Sequence, residues 1–229
     1  MRCYGPRAVQ AAAHGAAKPS GYYAQERDDL VRLLPRPLGR VLDIGCGEGG
    51  VGRRVRDAGA TWVAGVEADA TAAARAAGVY DEVHVGPVEE HLDALRGPYD
   101  TFLLYDVLEH LVDPWQLLRR LHDVASPAAH LHVSVPNARH WSLLRDLALR
   151  GTFGYTASNH RDVAHLRWFT RRDLVGALAD AGWEVLAVTH GPLRPVSRLL
   201  ERATGGLSAE LLVYQLAALA RRSAPAARP

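Results

Sequence analysis

Three glycines in the sequence have the spacing of a loop that binds a nucleotide. Gly45, Gly47 and Gly50 satisfy the pattern G-x-G-x-x-G directly after the short apolar run Arg40–Ile44. Such a loop turns the chain from a strand into a helix and lets the backbone approach a ligand closely. The pattern alone is common, so the acidic residues around it must decide which ligand it would bind.

Two acidic residues beside these glycines argue against a pyrophosphate ligand. Asp43 lies two residues before Gly45, and Glu48 lies inside the loop, where both would repel a phosphate at the N-terminus of the following helix. A cationic nucleoside is favoured instead, and S-adenosylmethionine (SAM) carries a sulfonium and an ammonium but no phosphate. A further acid, Glu67, follows after about 20 residues, the distance at which a carboxylate accepts the ribose hydroxyls of a nucleoside. NAD and SAM both need such an acid, so Glu67 indicates a nucleoside but not which one.

The elements that must position these residues follow from apolar runs that alternate with helical patterns. The predicted strands are Arg40–Ile44, Thr61–Val66, Val83–Gly86, Tyr99–Tyr105, Ala129–Val135 and Trp183–Thr189. The predicted helices are Tyr22–Leu34, Glu48–Ala58, Asp69–Ala77, Val88–Leu95, Pro114–Val124, Trp141–Leu149 and Thr170–Ala181. Strands separated by single helices predict right-handed crossovers and a doubly wound, Rossmann-like α/β fold with helices on both faces of the sheet.

The regular alternation breaks in residues 137–169, which we interpret as a substrate lid inserted after the fifth strand. Residues 1–20 are expected to form a mobile N-terminal segment, or a flap that orders over a ligand. Val196–Arg202 is a further candidate helix, and Leu211–Ala220 is a final strand or helix. With no internal repeat and no linker in the sequence, we expect one domain spanning residues 1–229.

Composition limits the classes of protein to which the chain can belong. It has 229 residues, 48% of them hydrophobic, and a formal net charge of +2, so it has enough apolar material for one globular core. No run of 18 apolar residues is present, which excludes a helix that spans a membrane. The two cysteines, Cys3 and Cys46, are too few for a disulfide framework and fit a reducing, cytoplasmic setting. Of the 27 basic residues 26 are Arg, but acids nearly balance them, which argues against a nucleic-acid partner.

The lid, with Ser-Val-Pro-Asn from Ser134 and His-Leu-Arg-Trp-Phe-Thr from His165, is similar to that of bacterial methyltransferases that act on sugars, glycolipids or natural products. Three other stretches of the sequence together resemble the class I SAM-dependent methyltransferases as a whole. They read Val-Leu-Asp-Ile-Gly-Cys-Gly-Glu-Gly from Val41, Val-Glu-Ala-Asp from Val66, and Tyr-Asp-Thr-Phe-Leu-Leu-Tyr-Asp-Val-Leu-Glu-His-Leu-Val-Asp-Pro from Tyr99. The resemblance extends from about Tyr22 to Arg222. It implies a seven-stranded, mostly parallel sheet that ends in an antiparallel hairpin, and it therefore favours Leu211–Ala220 as the last strand.

The resemblance also implies which residues bind SAM. Gly45 and Gly47 would admit the methionine part, Asp43 would bind its ammonium, and Glu67 would hold the ribose. The full set of implied cofactor-binding residues is Asp43, Gly45, Cys46, Gly47, Glu67, Ala68, Val88, Glu89, Tyr105 and Asp106. Cys46 is expected to be a small residue packed between the glycines and not a nucleophile. Many relatives place an Asp where Pro87 stands, so the contact to the adenine amino group would pass to Glu89 or to the backbone.

Methyl transfer from a sulfonium is an in-line displacement, and a hydroxyl acceptor must also lose a proton. A base is expected after the fourth strand or on the lid, which makes His110, His165 and Asp106 the candidate catalytic residues. His110 has a structural alternative, because a Glu-His pair in this loop can simply shape the SAM pocket. His165 could instead orient the lid through Asp162 or Arg167. Four aromatic residues of the lid would wall an acceptor pocket, or half of them would simply pack the lid onto the sheet: Trp141, Phe153, Tyr155 and Trp168. Four arginines would bind an anionic acceptor or lie in solvent: Arg139, Arg145, Arg161 and Arg167.

Several alternatives stay open at the level of sequence. Asp106, Glu109, His110 and His165 form a set of oxygen and nitrogen donors that suits a divalent metal, and the pattern is similar to that of small-RNA 2′-O-methyltransferases and ubiquinone-pathway O-methyltransferases. A metal is possible but not favoured, because the Glu-His pair is widespread in enzymes of this class that need none. We predict a methyltransferase that acts on a small-molecule acceptor, most simply at a hydroxyl oxygen of a sugar, glycolipid or natural product, and yields S-adenosylhomocysteine. N- or C-methylation, metal-assisted RNA 2′-O-methylation and a non-catalytic SAM-binding domain are the alternatives, and the oligomeric state is not predicted.

Overall fold

A seven-stranded sheet forms the centre of the computed structural model, which describes residues 21–190 and 209–223. The strands are β1 (Arg40–Ile44), β2 (Trp62–Glu67), β3 (Glu82–Val85), β4 (Tyr99–Tyr105), β5 (Ala125–Pro136), β6 (Trp183–His190) and β7 (Gln215–Arg222). Their order in the sheet is β3-β2-β1-β4-β5-β7-β6. Strands β1 to β5 pair in parallel, whereas β7 runs antiparallel to both of its neighbours, β5 and β6. The predicted mostly parallel sheet with a terminal antiparallel hairpin is confirmed.

Helices connect these strands on both faces of the sheet. They are α1 (Asp28–Val31), α2 (Gly50–Asp57), α3 (Ala70–Ala76), α4 (Val88–His91), α5 (Pro114–Arg120), α6 (Trp141–Arg150), α7 (Arg171–Asp180) and α8 (Ala209–Leu212). Single 3₁₀ turns lie at Tyr22–Ala24, Leu108–His110, Leu121–Val124 and Asn159–Arg161. Among the described residues, no helix has both the length and the apolar character needed to cross a bilayer.

Local sequence signals fix several of the helix starts. Asp69 accepts hydrogen bonds from the backbone N–H groups of the first turn of α3, and Asp113 does the same for α5. Thr170 and Asp173 form a reciprocal capping box at the start of α7. The caps at Asp69, Asp113 and Thr170 are those that the sequence predicts, and they fix the starts of α3, α5 and α7.

Alternate side chains of the central strand β4 belong to two separate parts of the core. Phe102 and Leu104 pack in one apolar cluster, and Leu103 and Tyr105 pack in the other. Because successive side chains of a strand point to opposite faces, this alternation places a buried layer on each side of the sheet. Strand β4 is therefore covered on both faces, and its carboxyl end is the place where a ligand can reach it.

Several predicted elements differ from the observed structure: the expected helix Val88–Leu95 ends at His91, and the expected strand Ala129–Val135 begins at Ala125. The expected helix Tyr22–Leu34 is a 3₁₀ turn followed by the short α1, because Arg27 adopts a left-handed conformation with φ of 46° that interrupts the helix. The expected strand Leu211–Ala220 begins only at Gln215, after the helical turn α8. The predicted N-terminal segment 1–20 and the candidate helix Val196–Arg202 lie outside the described residues.

Candidate active site

A cavity of about 460 Å³ opens at the carboxyl ends of β1, β2 and β4. Its walls come from the glycine loop, the ends of these strands, the segment before α1, the insertion after β5 and the start of β7. The lining includes Tyr22, Arg27, Gly45, Cys46, Gly47, Glu67, Ala68, Val88, Glu89, Tyr105, Asp106, Glu109, His110, His160, His165, Tyr214 and Gln215. Nine of the ten predicted cofactor-binding residues and all three predicted catalytic residues therefore meet at one cavity.

The glycine loop needs glycine because the rest of the protein approaches it closely. Gly45 and Gly47 have φ values of 76° and 54°, in the left-handed region that side chains rarely adopt. A Cβ atom on Gly45 would lie 2.6 Å from a methyl carbon of Val107, and one on Gly47 would lie 2.4 Å from the carbonyl oxygen of Tyr23. The loop is thus held between the end of β4 and the segment that precedes α1.

Glu67 lies at the end of β2 and is tied to the glycine loop. Its carboxylate accepts hydrogen bonds from the backbone N–H of Gly47 at 2.8 Å and from that of Asp69 at 2.9 Å. Only 6% of the residue is exposed, and this burial raises the pKa of the carboxyl. Glu67 therefore fixes the loop and presents a carboxylate to the cavity at the same time.

Glu89 presents a second carboxylate on this side of the cavity. Its Oε2 atom is buried and, within the described part of the chain, has no hydrogen-bond partner. The side chain follows Pro87 and Val88, which also line the cavity. A buried acceptor without a donor is costly, so an amino group of a ligand would satisfy it.

Asp43 is not one of the described residues that line the cavity, and its carboxylate faces Tyr80 instead. The Tyr80 hydroxyl donates a hydrogen bond to Asp43 Oδ2 at 2.6 Å, and burial raises the pKa of Asp43 to about 7. Cys46 is buried behind the loop, where burial also raises the pKa of its thiol. Tyr80 belongs to no recognisable sequence motif. It lies in the connection before β3, which the fold brings next to Asp43 on β1.

Asp106, directly after β4, is the centre of a polar network. Its carboxylate accepts from Arg27 Nη1 at 2.6 Å and from the side-chain amide of Gln215. Arg27 also donates to Gln215 Oε1 at 2.7 Å, which closes a triangle. Burial raises the pKa of Asp106, while the guanidinium of Arg27 acts in the opposite direction. Sequence reasoning identified Asp106 but missed Arg27 and Gln215.

Glu109, His110 and His165 form a compact donor group where the segment after β4 meets the insertion. One ligand atom from each lies within 4.8 Å of the others, and the two imidazole centroids are 4.8 Å apart. The backbone carbonyl of Glu109 accepts from the N–H groups of Leu166 at 2.7 Å and Arg167 at 3.0 Å. These backbone bonds bring the insertion, and with it His165, against the end of β4.

The side chain of Glu109 is unusual in its surroundings. It is 2% exposed, and neither carboxylate oxygen has a hydrogen-bond partner among the described residues. Burial, and after it the nearby charge of Asp106, raises the pKa of Glu109 well above its ordinary value. Asp106, the fourth donor that the sequence suggested, is engaged by Arg27. The described group of possible metal ligands therefore consists of Glu109, His110 and His165.

The aromatic residues of the insertion do not form the acceptor wall that the sequence suggested. Trp141, Tyr155 and Trp168 are 46%, 61% and 43% exposed, and Phe153 packs against Tyr155 and Trp168 with ring centroids 4.7 and 5.5 Å apart. The cavity is lined instead by the polar turn at positions 158–165 and by Tyr214. None of these four aromatic residues is among the described residues that line the cavity, because the sequence does not reveal which side of an irregular segment is buried.

Comparison with known proteins places these features in a family. A model of the methyltransferase domain matches residues 18–188. A ubiquinone biosynthesis O-methyltransferase from Pseudomonas paraeruginosa is 28% identical over 163 residues, which cover 67% of this chain and 69% of that protein. A protein named "Probable S-adenosylmethionine-dependent methyltransferase" from Mycobacterium tuberculosis is 32% identical over 168 residues, or 70% of this chain and 56% of that protein.

Solved structures give the same fold. A SAM-dependent methyltransferase from Mesorhizobium loti superposes with a TM-score of 0.60 at 21% identity, over 86% of this chain and 97% of that one. A SAM-dependent methyltransferase from Archaeoglobus fulgidus superposes with a TM-score of 0.62 at 17% identity, over 82% and 87% of the two chains. At these identities the likeness concerns the fold alone.

Proposed function

The chain belongs to the methyltransferase-domain family of class I SAM-dependent enzymes, and from this premise we propose that it methylates a hydroxyl oxygen of a small-molecule acceptor. The observation that carries the proposal is the meeting of His110 and His165 at a cavity whose other side has the residues expected to bind SAM. The curated relatives include O-methyltransferases, which supports oxygen as the accepting atom. Sugars, glycolipids and natural products with a free hydroxyl are the proposed acceptors.

The residues of the cavity fit SAM. Glu67 would accept the ribose hydroxyls while it keeps its hydrogen bond to Gly47, and Glu89 Oε2, a buried acceptor without a donor, would take the adenine amino group. Ala68 and Val88 offer apolar contacts beside these carboxylates. SAM supplies, when bound, a methyl group on a positively charged sulfur. Asp43 would act on the ligand only through the glycine loop that follows it, because its carboxylate is engaged by Tyr80.

The insertion and the end of β4 would position the acceptor. His110 or His165 would accept the hydroxyl proton, and both line the cavity. Asp106, held by Arg27 and Gln215, would keep a fixed carboxylate beside the reacting centre. We propose that residues 137–169 act as the acceptor lid, because Asn159, His160 and His165 from this segment face the same cavity.

Two measurements test the cofactor and the base in turn. Isothermal calorimetry should detect binding of SAM and of S-adenosylhomocysteine, and absence of both would refute the assignment of the cavity. With an acceptor in hand, His110→Ala should lower kcat by about 10²- to 10⁴-fold, the usual contribution of a general base, while the affinity for SAM is kept. His130→Ala, on β5 and outside the cavity lining, is the matched control and should leave kcat unchanged.

A divalent cation held by Glu109, His110 and His165 is a second candidate, and the unpartnered buried carboxylate of Glu109 favours it. These residues fit a metal that prefers mixed oxygen and nitrogen donors; such a metal would orient and acidify the acceptor hydroxyl. Glu109→Gln separates the two candidates, because glutamine imitates a protonated carboxyl but is a poor ligand for a cation. If the base acts alone, the variant keeps kcat within a few-fold and chelators have no effect. If the cation is required, both the Glu109→Gln substitution and the chelator abolish turnover. Added Mg²⁺ or Mn²⁺ then restores turnover of the chelator-treated wild type but not of the variant.

A further inference from the structure

Helix α6 has the opposite arrangement from an ordinary surface helix. Its inner face buries Leu143 and the carboxylate of Asp146, which is only 4% exposed. Its outer side presents Trp141, Leu144, Leu147 and Leu149 to solvent, with 46%, 40%, 45% and 79% of each residue exposed. We call these four residues, together with Ala148 between them, the outer face of α6. A surface helix normally buries its leucines and exposes its charges, so this face is typical of a surface that contacts another apolar phase.

Positive charge is concentrated around this apolar face. Arg145, Arg150 and Arg161 all lie within ion-pair distance of the single carboxylate of Asp146, at 2.9, 3.4 and 2.8 Å. One negative charge therefore faces three positive ones, and the side chains of Arg145 and Arg150 remain 39% and 67% exposed. The guanidinium of Arg145 also lies over the ring of Trp141, 4.8 Å from its centroid.

The whole insertion has an excess of positive charge. Residues 137–169 contain five Arg, two Asp, and neither Lys nor Glu, and both aspartates are buried. The segment thus has a formal charge of +3, whereas the chain as a whole has +2. Arginines next to exposed Trp and Leu on one helix are the combination that attaches a helix to the interface of an anionic bilayer.

From this arrangement we infer that the outer face of α6 docks the protein peripherally on an anionic phospholipid membrane. Trp141 and the leucines would enter the headgroup boundary, and Arg145 and Arg150 would contact the lipid phosphates. A second copy of the chain fits this face less well, because a two-fold contact would bring the same arginines together from both sides. The inference does not depend on methyl transfer, and it is tested without an acceptor.

Vesicle co-sedimentation with the full chain tests the inference. The protein should sediment with phosphatidylcholine vesicles that contain phosphatidylglycerol, and binding should weaken at high salt because the contact is partly electrostatic. The double variant Leu144→Asp/Leu149→Asp should lower the partition coefficient by about tenfold or more, since it places charge in the apolar part of the contact. Arg145→Gln/Arg150→Gln should lose most of the preference for anionic over neutral vesicles.

Leu33→Asp is the matched control, because Leu33 is a leucine of similar exposure, 46%, outside the insertion. It should bind vesicles as the wild type does. The leucine variants should keep the wild-type melting temperature, and all variants should keep the affinity for SAM, which separates failure of docking from failure of the proposed methyltransferase. The inference is overturned if the wild type does not sediment with anionic vesicles, or if the α6 variants bind as well as Leu33→Asp does. It is also overturned if light scattering shows a dimer that the α6 variants dissociate, because the face would then bind a second copy.

Discussion

The buried pair of Asp43 and Tyr80 makes the stability of the protein depend on pH. Asp43 is 2% exposed, and its carboxylate accepts the Tyr80 hydroxyl at 2.6 Å. The pKa of Asp43 is raised to about 7, chiefly by burial; the hydrogen bond from Tyr80 acts to lower it, and the charge of Glu67 acts to raise it. Replacement of Asp43 by Asn keeps the shape and an acceptor oxygen for Tyr80, but removes the group that titrates.

The size and the sign of the effect follow from the two pKa values. In the unfolded chain Asp43 titrates near the ordinary value of 3.8, and in the folded protein near 7. Because the pKa is higher in the folded protein, the folded state binds a proton that the unfolded chain has released. The contribution of protonated Asp43 to the free energy of unfolding is therefore fully present below about pH 4 and is lost as pH rises towards 7. At about 1.36 kcal/mol for each pH unit, the free energy of unfolding falls by about 4 kcal/mol over this range. Asp43→Asn should lack this decline and become the more stable protein at pH 8.

Urea unfolding of both proteins between pH 4 and 8.5 measures this difference. The gap in free energy of unfolding between Asp43→Asn and the wild type should widen with pH up to about 7 and then stay constant. Asp180→Asn replaces an exposed aspartate and should give a curve parallel to that of the wild type. If the curves for Asp43→Asn and the wild type are also parallel, Asp43 is ionised throughout and the reasoning from burial is refuted.

Three further experiments test other parts of the protein. Glu67→Gln should weaken SAM binding at least tenfold in calorimetry, since a buried, charged acceptor is lost; a small effect would remove Glu67 from the ribose site. Gly52→Ala should destabilise the fold by about 1–3 kcal/mol in urea unfolding, because its Cβ would lie 2.4 Å from Tyr80 Cζ; an unchanged midpoint would contradict the packing. Arg27→Gln and Asp106→Asn should show a coupling energy of about 1–3 kcal/mol in a double-mutant cycle of stability, and additive effects would contradict the ion pair between them.

Much of the scaffold follows from short-range signals in the sequence. The apolar run before Gly45 predicts β1, and the caps at Asp69, Asp113 and Thr170 predict the starts of three helices. Each of these signals acts within a few residues, so it is readable without the fold. Glycines and acids at the ends of parallel strands then indicate the site, because such ends meet at one edge of the sheet.

The contacts that complete the site are not readable in this way. Arg27 and Gln215 reach Asp106 from positions 79 and 109 residues away, and neither lies in a recognisable motif. Arg27 also interrupts the expected N-terminal helix, because its left-handed backbone accompanies the ion pair with Asp106. Tyr80 and Asp43 are 37 residues apart in the sequence and meet only in the folded chain. Partners of this kind are fixed by tertiary packing, for which a single sequence has no local signal.

The charges around the cavity bear on both the cofactor and the proton. Among the described residues that line it, six are acidic and one, Arg27, is a guanidinium. Such a lining attracts a ligand with a sulfonium and an ammonium and repels the pyrophosphate of a dinucleotide. Methyl transfer neutralises the sulfonium, so an acidic cavity would oppose the reaction unless another positive charge took its place. A hydroxyl acceptor supplies that charge as its proton, and His110 and His165 lie at the cavity where the proton would be held. An acceptor that gives up a proton to the cavity, as the proposed hydroxyl would, is therefore compatible with the same acidic lining that suits the cofactor.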